Sequence, residues 1–502
     1  MKRRGFLSAA LVGLTAKGER RIAGGFVNEA QELGHRLRDG AAFPAAREQR
    51  RVAVVIVGGG IAGLSAAWRL EKRGFRDFVL LEMEAVAGGN ARHGENEVSA
   101  YPWAAHYVPP PGREARSVRE LFEELGLYED GAPTERHLVH SPQERLFLHG
   151  RWQEGLEPAT GLAARDREQY KRFADLVEGY RKSAAFRIPV DEGRGSEELD
   201  RVSMSAWMDS KRLDSPYLRW YVDYSCRDDY GAAVGETSAW AGIHYFAARP
   251  EEDEGPFTWP EGNGWIVKKL LARLGRHVET GTPVYRVERR GRRLLVRTPQ
   301  ADLLADAVIW AAPTFLAHYL VEGEPKAEGF EYSPWVTANL TLDRPPKERG
   351  GAPPAWDNVM YGSPSLGYVV ATHQNVTTHA GRTVWTYYWA LAHGAPAQVR
   401  RELLAERWDA WRDRILSDLE RVHPDLRECV SRVDVMRMGH AMIRPSVGFR
   451  GSPARARFAG LRGALVYANS DLSGISIFEE AQYRGVVAAD RVLDNLGRSR
   501  SS

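Results

Sequence analysis

The sequence predicts an α/β protein in which a doubly wound, parallel-sheet domain is interleaved with a second, α+β domain. An apolar β-branched run, Val52-Ala53-Val54-Val55-Ile56-Val57, enters a glycine-rich turn and then a helix-forming stretch. Text of the same kind, a strand closing on small residues, returns at 305–313 and at 465–471. Between these segments lie two long pieces of different character, one helix-rich and one rich in aromatic strand-like runs. A chain of 502 residues has room for both domains, since single cores seldom grow past about 250–300 residues.

Composition narrows the class. Lys and Arg (69) nearly balance Asp and Glu (66), and 27% charged residues is ordinary for a globular protein, which excludes disorder and collagen. Residues 1–51 hold 11 Lys/Arg against 5 Asp/Glu, so the remaining chain is slightly acidic and no nucleic-acid partner is expected. Mean hydropathy is −0.43 and no apolar run approaches the ~20 residues of a bilayer span, so no transmembrane segment is expected. Two cysteines, Cys226 and Cys429, make no disulfide framework, and no His/Cys/Glu cluster has metal-ligand spacing.

The chain opens Met1-Lys2-Arg3-Arg4-Gly5-Phe6-Leu7, followed by an apolar stretch to Ala16. A basic start and a short apolar region have signal-peptide proportions, and the arginine pair followed by Phe-Leu resembles a twin-arginine export signal. Such a route would make the protein periplasmic or otherwise exported; a cytoplasmic protein with a basic N-terminus is the alternative. Residues 17–50 read as a polar connector on the surface, and the folded body is expected from Arg51.

The strand runs into Gly58-Gly59-Gly60-Ile61-Ala62-Gly63, a G-x-G-x-x-G sequence opening a helix. Gly58 permits the tight turn, Gly60 lets a pyrophosphate approach the backbone, Gly63 lets helix and strand pack closely, and Ala62 sits at the helix start. The helix N-terminus presents free N–H groups to phosphate. A second strand, Phe78-Val79-Leu80-Leu81, ends in Glu82, placed 19 residues beyond Gly63 to bind ribose hydroxyls. Together these predict a Rossmann-like dinucleotide site.

The residues after Glu82, through Gly88-Gly89-Asn90-Ala91-Arg92, resemble the second glycine motif of the flavin amine oxidase and phytoene desaturase superfamily. Members commonly have an arginine directly after the glycine pair; here Asn90 takes that place and Arg92 lies two further on. Ala104-Ala105-His106-Tyr107 is similar to the family segment beside the flavin ring. The stretch Glu279 to Val284 is similar to the segment whose valine-like position holds the adenine half by its backbone. Asp471 and Ile477 fall in text like the family's closing motif, where an acid meets the ribityl chain and a helix start faces the flavin pyrimidine edge. The resemblance implies a Rossmann-like FAD-binding domain interleaved with an α+β substrate-binding domain. It implies FAD bound non-covalently, since no cysteine accompanies the closing motif.

The expected boundaries are a leader and connector over 1–50, FAD-binding segments over 51–154, 261–314 and 456–495, and substrate-domain segments over 155–260 and 315–455. The substrate half is dense in Tyr and Trp, and Asp223, Asp228 and Asp229 lie among them, a composition suited to a cationic amine as well as to core packing. His106 is the candidate catalytic residue, or a hydrogen-bond partner of cofactor or backbone. Many family members carry a lysine on the strand after the A-x-P segment, where it holds a water near flavin N5. The comparable strand, Trp335 to Leu342, has none, and its polar residues near the site are Thr337 and Asn339. The expected activity is oxidation of a small-molecule amine by hydride transfer to FAD, with an acceptor that the sequence leaves open. The alternatives are a desaturase of an apolar isoprenoid-like substrate and a flavin-binding partner protein with little turnover.

Overall fold

The apolar run forms the end of a ten-residue strand, Glu48–Val57, whose last five residues are buried. In this computed structural model, which describes residues 21–27, 30–46, 48–249, 255–375, 381–460 and 463–501 (side chains to 497), that strand is central to a seven-stranded sheet. The export-like leader lies outside the described residues. Phe78–Leu81 and Ala301–Trp310 flank the central strand, both parallel to it, and Val278–Glu279 lies parallel beyond Phe78–Leu81. Arg293–Arg297 and Arg286–Arg290 extend the other edge as antiparallel strands. Leu465–Tyr467 joins parallel to Val308–Trp310, so the strand from the end of the chain closes the sheet begun 400 residues earlier. Val57, Leu81, Trp310 and Tyr467 end at one edge, and the glycine-rich turn leaves from there into the helix Ile61–Lys72.

A second sheet of eight strands stands beside the first. Its order is Ala23–Phe26, Val430–Ile443, Tyr332–Leu342, Thr383–Ala390, Tyr368–Val370, Asp357–Met360, Glu144–Leu148 and Arg151–Glu154. Tyr332–Leu342 is buried along its whole length. One face packs Trp385, Tyr387 and Val433 against the helices Pro396–Ala405 and Trp408–Glu420, and the other carries Trp335, Trp356 and Tyr388 toward the FAD-type domain. The helices Ala164–Arg181, Met204–Ser210, Pro216–Tyr230 and Ala239–Ala247 build their own core around Phe186, Met204, Trp207 and Trp240. The architecture is the predicted one, a Rossmann-like α/β domain interleaved with an α+β domain.

Two segments sit differently from their sequence reading. Glu144–Leu148 and Arg151–Glu154, within the segment read as 51–154 of the nucleotide domain, are edge strands of the second sheet. The connector does more than cover the surface: Ala23–Phe26 pairs in parallel with Arg432–Val435, and the helix Gln31–Arg38 follows it. Main-chain pairing of this kind needs no apolar alternation, which is why Ala23-Gly24-Gly25-Phe26 carries no strand signal. Cys226 and Cys429 are buried thiols that form no disulfide among the described residues. Among the described residues no helix is long and apolar enough to cross a membrane, and no cluster of metal-ligating groups occurs.

Candidate active site

An elongated cavity of about 410 Å³ runs along the carboxyl edge of the seven-stranded sheet. Its lining contains Gly58, Gly60 and Ala62 at the first turn, then Glu82, then Gly88, Gly89, Asn90 and Arg92. Val284, Asp471 and Ile477 complete the set brought together from four distant stretches of chain. Gly63 stands behind the lining: a Cβ there would lie 1.9 Å from the Gly58 carbonyl oxygen, so the glycine serves the close packing of helix on turn. Gly58 itself has φ +106°, a conformation that side chains disfavour.

The carboxylate of Glu82 accepts the Gly59 N–H at 2.7 Å and the Glu84 N–H at 2.8 Å, one on each oxygen, which draws the two glycine-bearing loops together. Thr282 donates its N–H to the Glu82 carbonyl at 2.8 Å, bringing Val284 to the same end. Arg92 pairs with Glu84 and donates to the Gly89 carbonyl, while the Asn90 amide donates to the Ala441 carbonyl at 2.6 Å. The arginine two places late in the motif thus still borders the cavity. At the far end, Asp471 accepts the Thr314 N–H at 2.8 Å and the Tyr332 hydroxyl at 2.6 Å through one oxygen, and burial raises its carboxyl above the usual range. Ile477 precedes the helix Phe478–Ser501, whose positive end points at this wall.

These residues fit FAD. An acid stands at the end of the second strand for a ribose, backbone N–H groups at a helix start face the place of a pyrophosphate, and a second acid and helix start lie at the far end. Asn263 donates to the Tyr107 carbonyl at 3.0 Å, yet its Oδ1 is buried in the shared wall without a hydrogen-bond partner among the described residues, as a group awaiting a donor would be.

A smaller cavity of about 150 Å³ adjoins the first, sharing Asn90, Ala105, Asn263, Ala441, Ser476 and Ile477 with it. His106, Tyr107, Trp335 and Tyr388 form aromatic walls, with the His106 ring 5.0 Å from Tyr388 and 5.5 Å from Trp356. His106 donates from Nδ1 to the Ala104 carbonyl at 2.9 Å, and burial lowers its pKa to about 4, so the ring is neutral near pH 7. Thr337 faces the same space with a buried hydroxyl that has no hydrogen-bond partner among the described residues. Asn339 is occupied elsewhere, donating to the Pro102 carbonyl and accepting from Thr386.

Asp228, Asp229, Arg249 and Glu479 line the same cavity. Arg249 donates to Glu479 at 2.8 Å. Asp223, grouped with the other two aspartates in the sequence, turns away to accept from Arg227 at 2.9 Å and from the Val234 N–H. Asp357 lies behind the wall, where the Tyr388 hydroxyl donates to it at 2.8 Å and burial raises its pKa to about 8. Arg249, Glu479 and Asp357 have no spacing signal in the sequence. Of the aromatic runs, Tyr388 reaches the cavity while Trp385 and Tyr387 pack on the sheet's other face, a split that the two-residue strand period could have revealed.

A family model described as flavin containing amine oxidoreductase matches residues 61–493. The chain belongs to the flavin-containing amine oxidoreductase family. Among curated relatives of this family member, the bovine (Bos taurus) flavin-containing amine oxidase B is 24% identical over 282 residues, covering 52% of this chain and 50% of the relative. The bovine peroxisomal N(1)-acetyl-spermine/spermidine oxidase is 27% identical over 233 residues, 45% of this chain and 44% of the relative. The chain thus matches about half the length of these relatives. Among solved structures, a double mutant of putrescine oxidase superposes with TM-score 0.68 at 15% identity, covering 89% of this chain and 100% of that one. Cyclohexylamine oxidase from Brevibacterium oxydans IH-35A gives TM-score 0.64 at 14% identity, covering 89% and 99%. At such identity the likeness is one of fold.

Proposed function

We propose that the protein is an FAD-dependent oxidoreductase that oxidises a small-molecule amine, with the FAD held non-covalently. The observation that carries this reading is the small cavity, which gathers aromatic side chains together with Asp228 and Asp229 and shares a wall with the cavity that fits FAD. Aromatic faces and carboxylates both attract an ammonium group, whereas an isoprenoid would bury those acids without a partner. When bound, flavin supplies the acceptor for the hydride of the C–H bond beside nitrogen.

The chain's own residues orient and dehydrate the substrate. Tyr107, Tyr388 and Trp335 exclude water, and the neutral His106 ring fixes the floor by its bond to Ala104 rather than by carrying a proton. Neither cysteine lines either cavity, which supports non-covalent attachment. The arginine-pair leader supports export of the folded protein, tested by whether Arg3→Lys with Arg4→Lys keeps a tagged chain in the cytoplasm.

The test of the reading is the visible spectrum of the purified protein under anaerobic conditions as mono- and polyamines are added. Bleaching of bound flavin by an amine is the expected result. A yellow protein that no amine bleaches would refute amine oxidation, and readmitting oxygen after bleaching shows whether oxygen is the acceptor.

A further inference from the structure

We infer that Asp228 is the group that takes the proton from the bound ammonium before its C–H bond breaks, an inference that rests on reading the small cavity as the amine site. An ammonium cannot release hydride, because its nitrogen pair is locked in the N–H bond; the pair must be freed first. Some group at the cavity surface has to accept that proton. Its identity follows from which acids are already committed.

Asp223 is held by Arg227, Asp357 by Tyr388, and Glu479 by Arg249. Asp228 and Asp229, consecutive near the end of the helix Pro216–Tyr230, have no hydrogen-bond partner among the described residues. Asp229 feels the opposite charge of Arg249, and its pKa rises only to about 6. For Asp228 the opposing cation, Arg227, comes after Asp229 and Asp357 in effect. The charged groups acting on it are Asp229 on its own helix and Asp357 and Glu144 from the second sheet, all acids, opposed by Arg227, while the Arg249 and Glu479 pair lines the same cavity. Arg227 is itself turned to Asp223 and to the Pro364 carbonyl. The other titratable neighbours, Tyr107, Tyr224, Tyr245 and Tyr388, are phenols that burial keeps un-ionised, and His106 across the cavity is neutral. Burial pushes the Asp228 carboxyl well above the usual carboxylate range, with Asp229 and Asp357 adding to the effect.

Burial and the acids around it therefore make Asp228 hold a proton more readily than a free carboxylate does. An entering cation supplies the missing positive charge, and the carboxyl proton leaves for solvent. The N–H bond of the ammonium then breaks with its electron pair left on nitrogen, and the proton forms the O–H bond of Asp228. No electrons change owner in this step, and one proton per substrate appears in solvent. The carboxyl returns to its starting state for the next cycle.

The experiment separates the charge exchange from the chemistry. Tetramethylammonium, a cation with no transferable proton, is titrated calorimetrically into the FAD-loaded protein at pH 7 in two buffers of different ionisation enthalpy. Release of about one proton per bound cation is expected from wild type and nearly none from Asp228→Asn. Equal release from wild type and Asp228→Asn, or no release or no binding in wild type, would overturn the inference. In anaerobic flavin bleaching, the second-order rate constant of Asp228→Asn should fall about a hundredfold or more at pH 7 and approach wild type near pH 10, where the free amine is already neutral. A loss of the same size at every pH would mean that Asp228 only shapes the pocket. A wild type bleached by no amine would remove the amine reading itself, a result distinct from either of these.

Discussion

Replacing Glu82 by Gln tests the adenine end of the cofactor cavity. The carboxylate accepts two backbone N–H groups, Gly59 at 2.7 Å and Glu84 at 2.8 Å, one per oxygen. Glutamine keeps one accepting oxygen and turns an NH2 toward the other donor, so no acceptor is left over for a ribose hydroxyl. The loss is at least one hydrogen bond to a charged group, about 1.5–3 kcal/mol. That corresponds to FAD binding weaker by about ten- to 150-fold. The assay is titration of deflavinated protein with FAD, followed by quenching of flavin fluorescence, for wild type and Glu82→Gln side by side. A dissociation constant unchanged within about threefold would refute the reasoning and leave Glu82 as a brace between two loops.

Three further outcomes are expected. Gly58→Ala puts a Cβ 2.8 Å from the Ala312 nitrogen at a φ of +106°, a strain of about 1–3 kcal/mol, and should lower the flavin-to-protein absorbance ratio after gel filtration. Asp357, with a folded pKa of about 8 against an ordinary value of 3.8, contributes stability that is full below pH ~4 and is lost as pH rises through 8. Asp357→Asn, which can still accept from Tyr388, should therefore gain on wild type as pH rises, by at most about 1.4 kcal/mol per pH unit in urea unfolding, and a difference that ignores pH would tell against the assignment. Thr337→Lys places a cation in the small cavity where the hydroxyl lacks a partner, and should speed reoxidation of the reduced protein by oxygen about tenfold or more in stopped-flow absorbance.

What the sequence made legible was whatever depends on local chain geometry. Gly58, Gly63 and Glu82 could be read because a tight turn, a close helix and a strand-end acid are spaced by the backbone alone. The two ends of the cofactor cavity followed, since Asp471 and Ile477 sit at one more strand-to-helix step. The small cavity was legible in composition but not in membership. Asp228 and Asp223 lie five residues apart in the same helix, about 140° around its axis, so only Asp228 of the two reaches the cavity while Asp223 pairs with Arg227 on another face. Arg249, Glu479 and Asp357 come together only when two sheets and a helical layer have packed, and spacing along the chain does not record that event.

The pairing of Ala23–Phe26 with Arg432–Val435 bears on how the molecule is assembled. Ala23 sits opposite Arg432, and Leu37, on the helix that follows the strand, is part of the cofactor cavity's wall. This segment is made about 400 residues before the strand it pairs with, so its main-chain hydrogen bonds wait for that partner. Closing so long a loop is slow, as is closing the nucleotide sheet itself, which waits for Leu465–Tyr467. The cofactor cavity gains its Leu37 wall only once this pairing has formed, and a folding chain leaves the cofactor an open entrance until then.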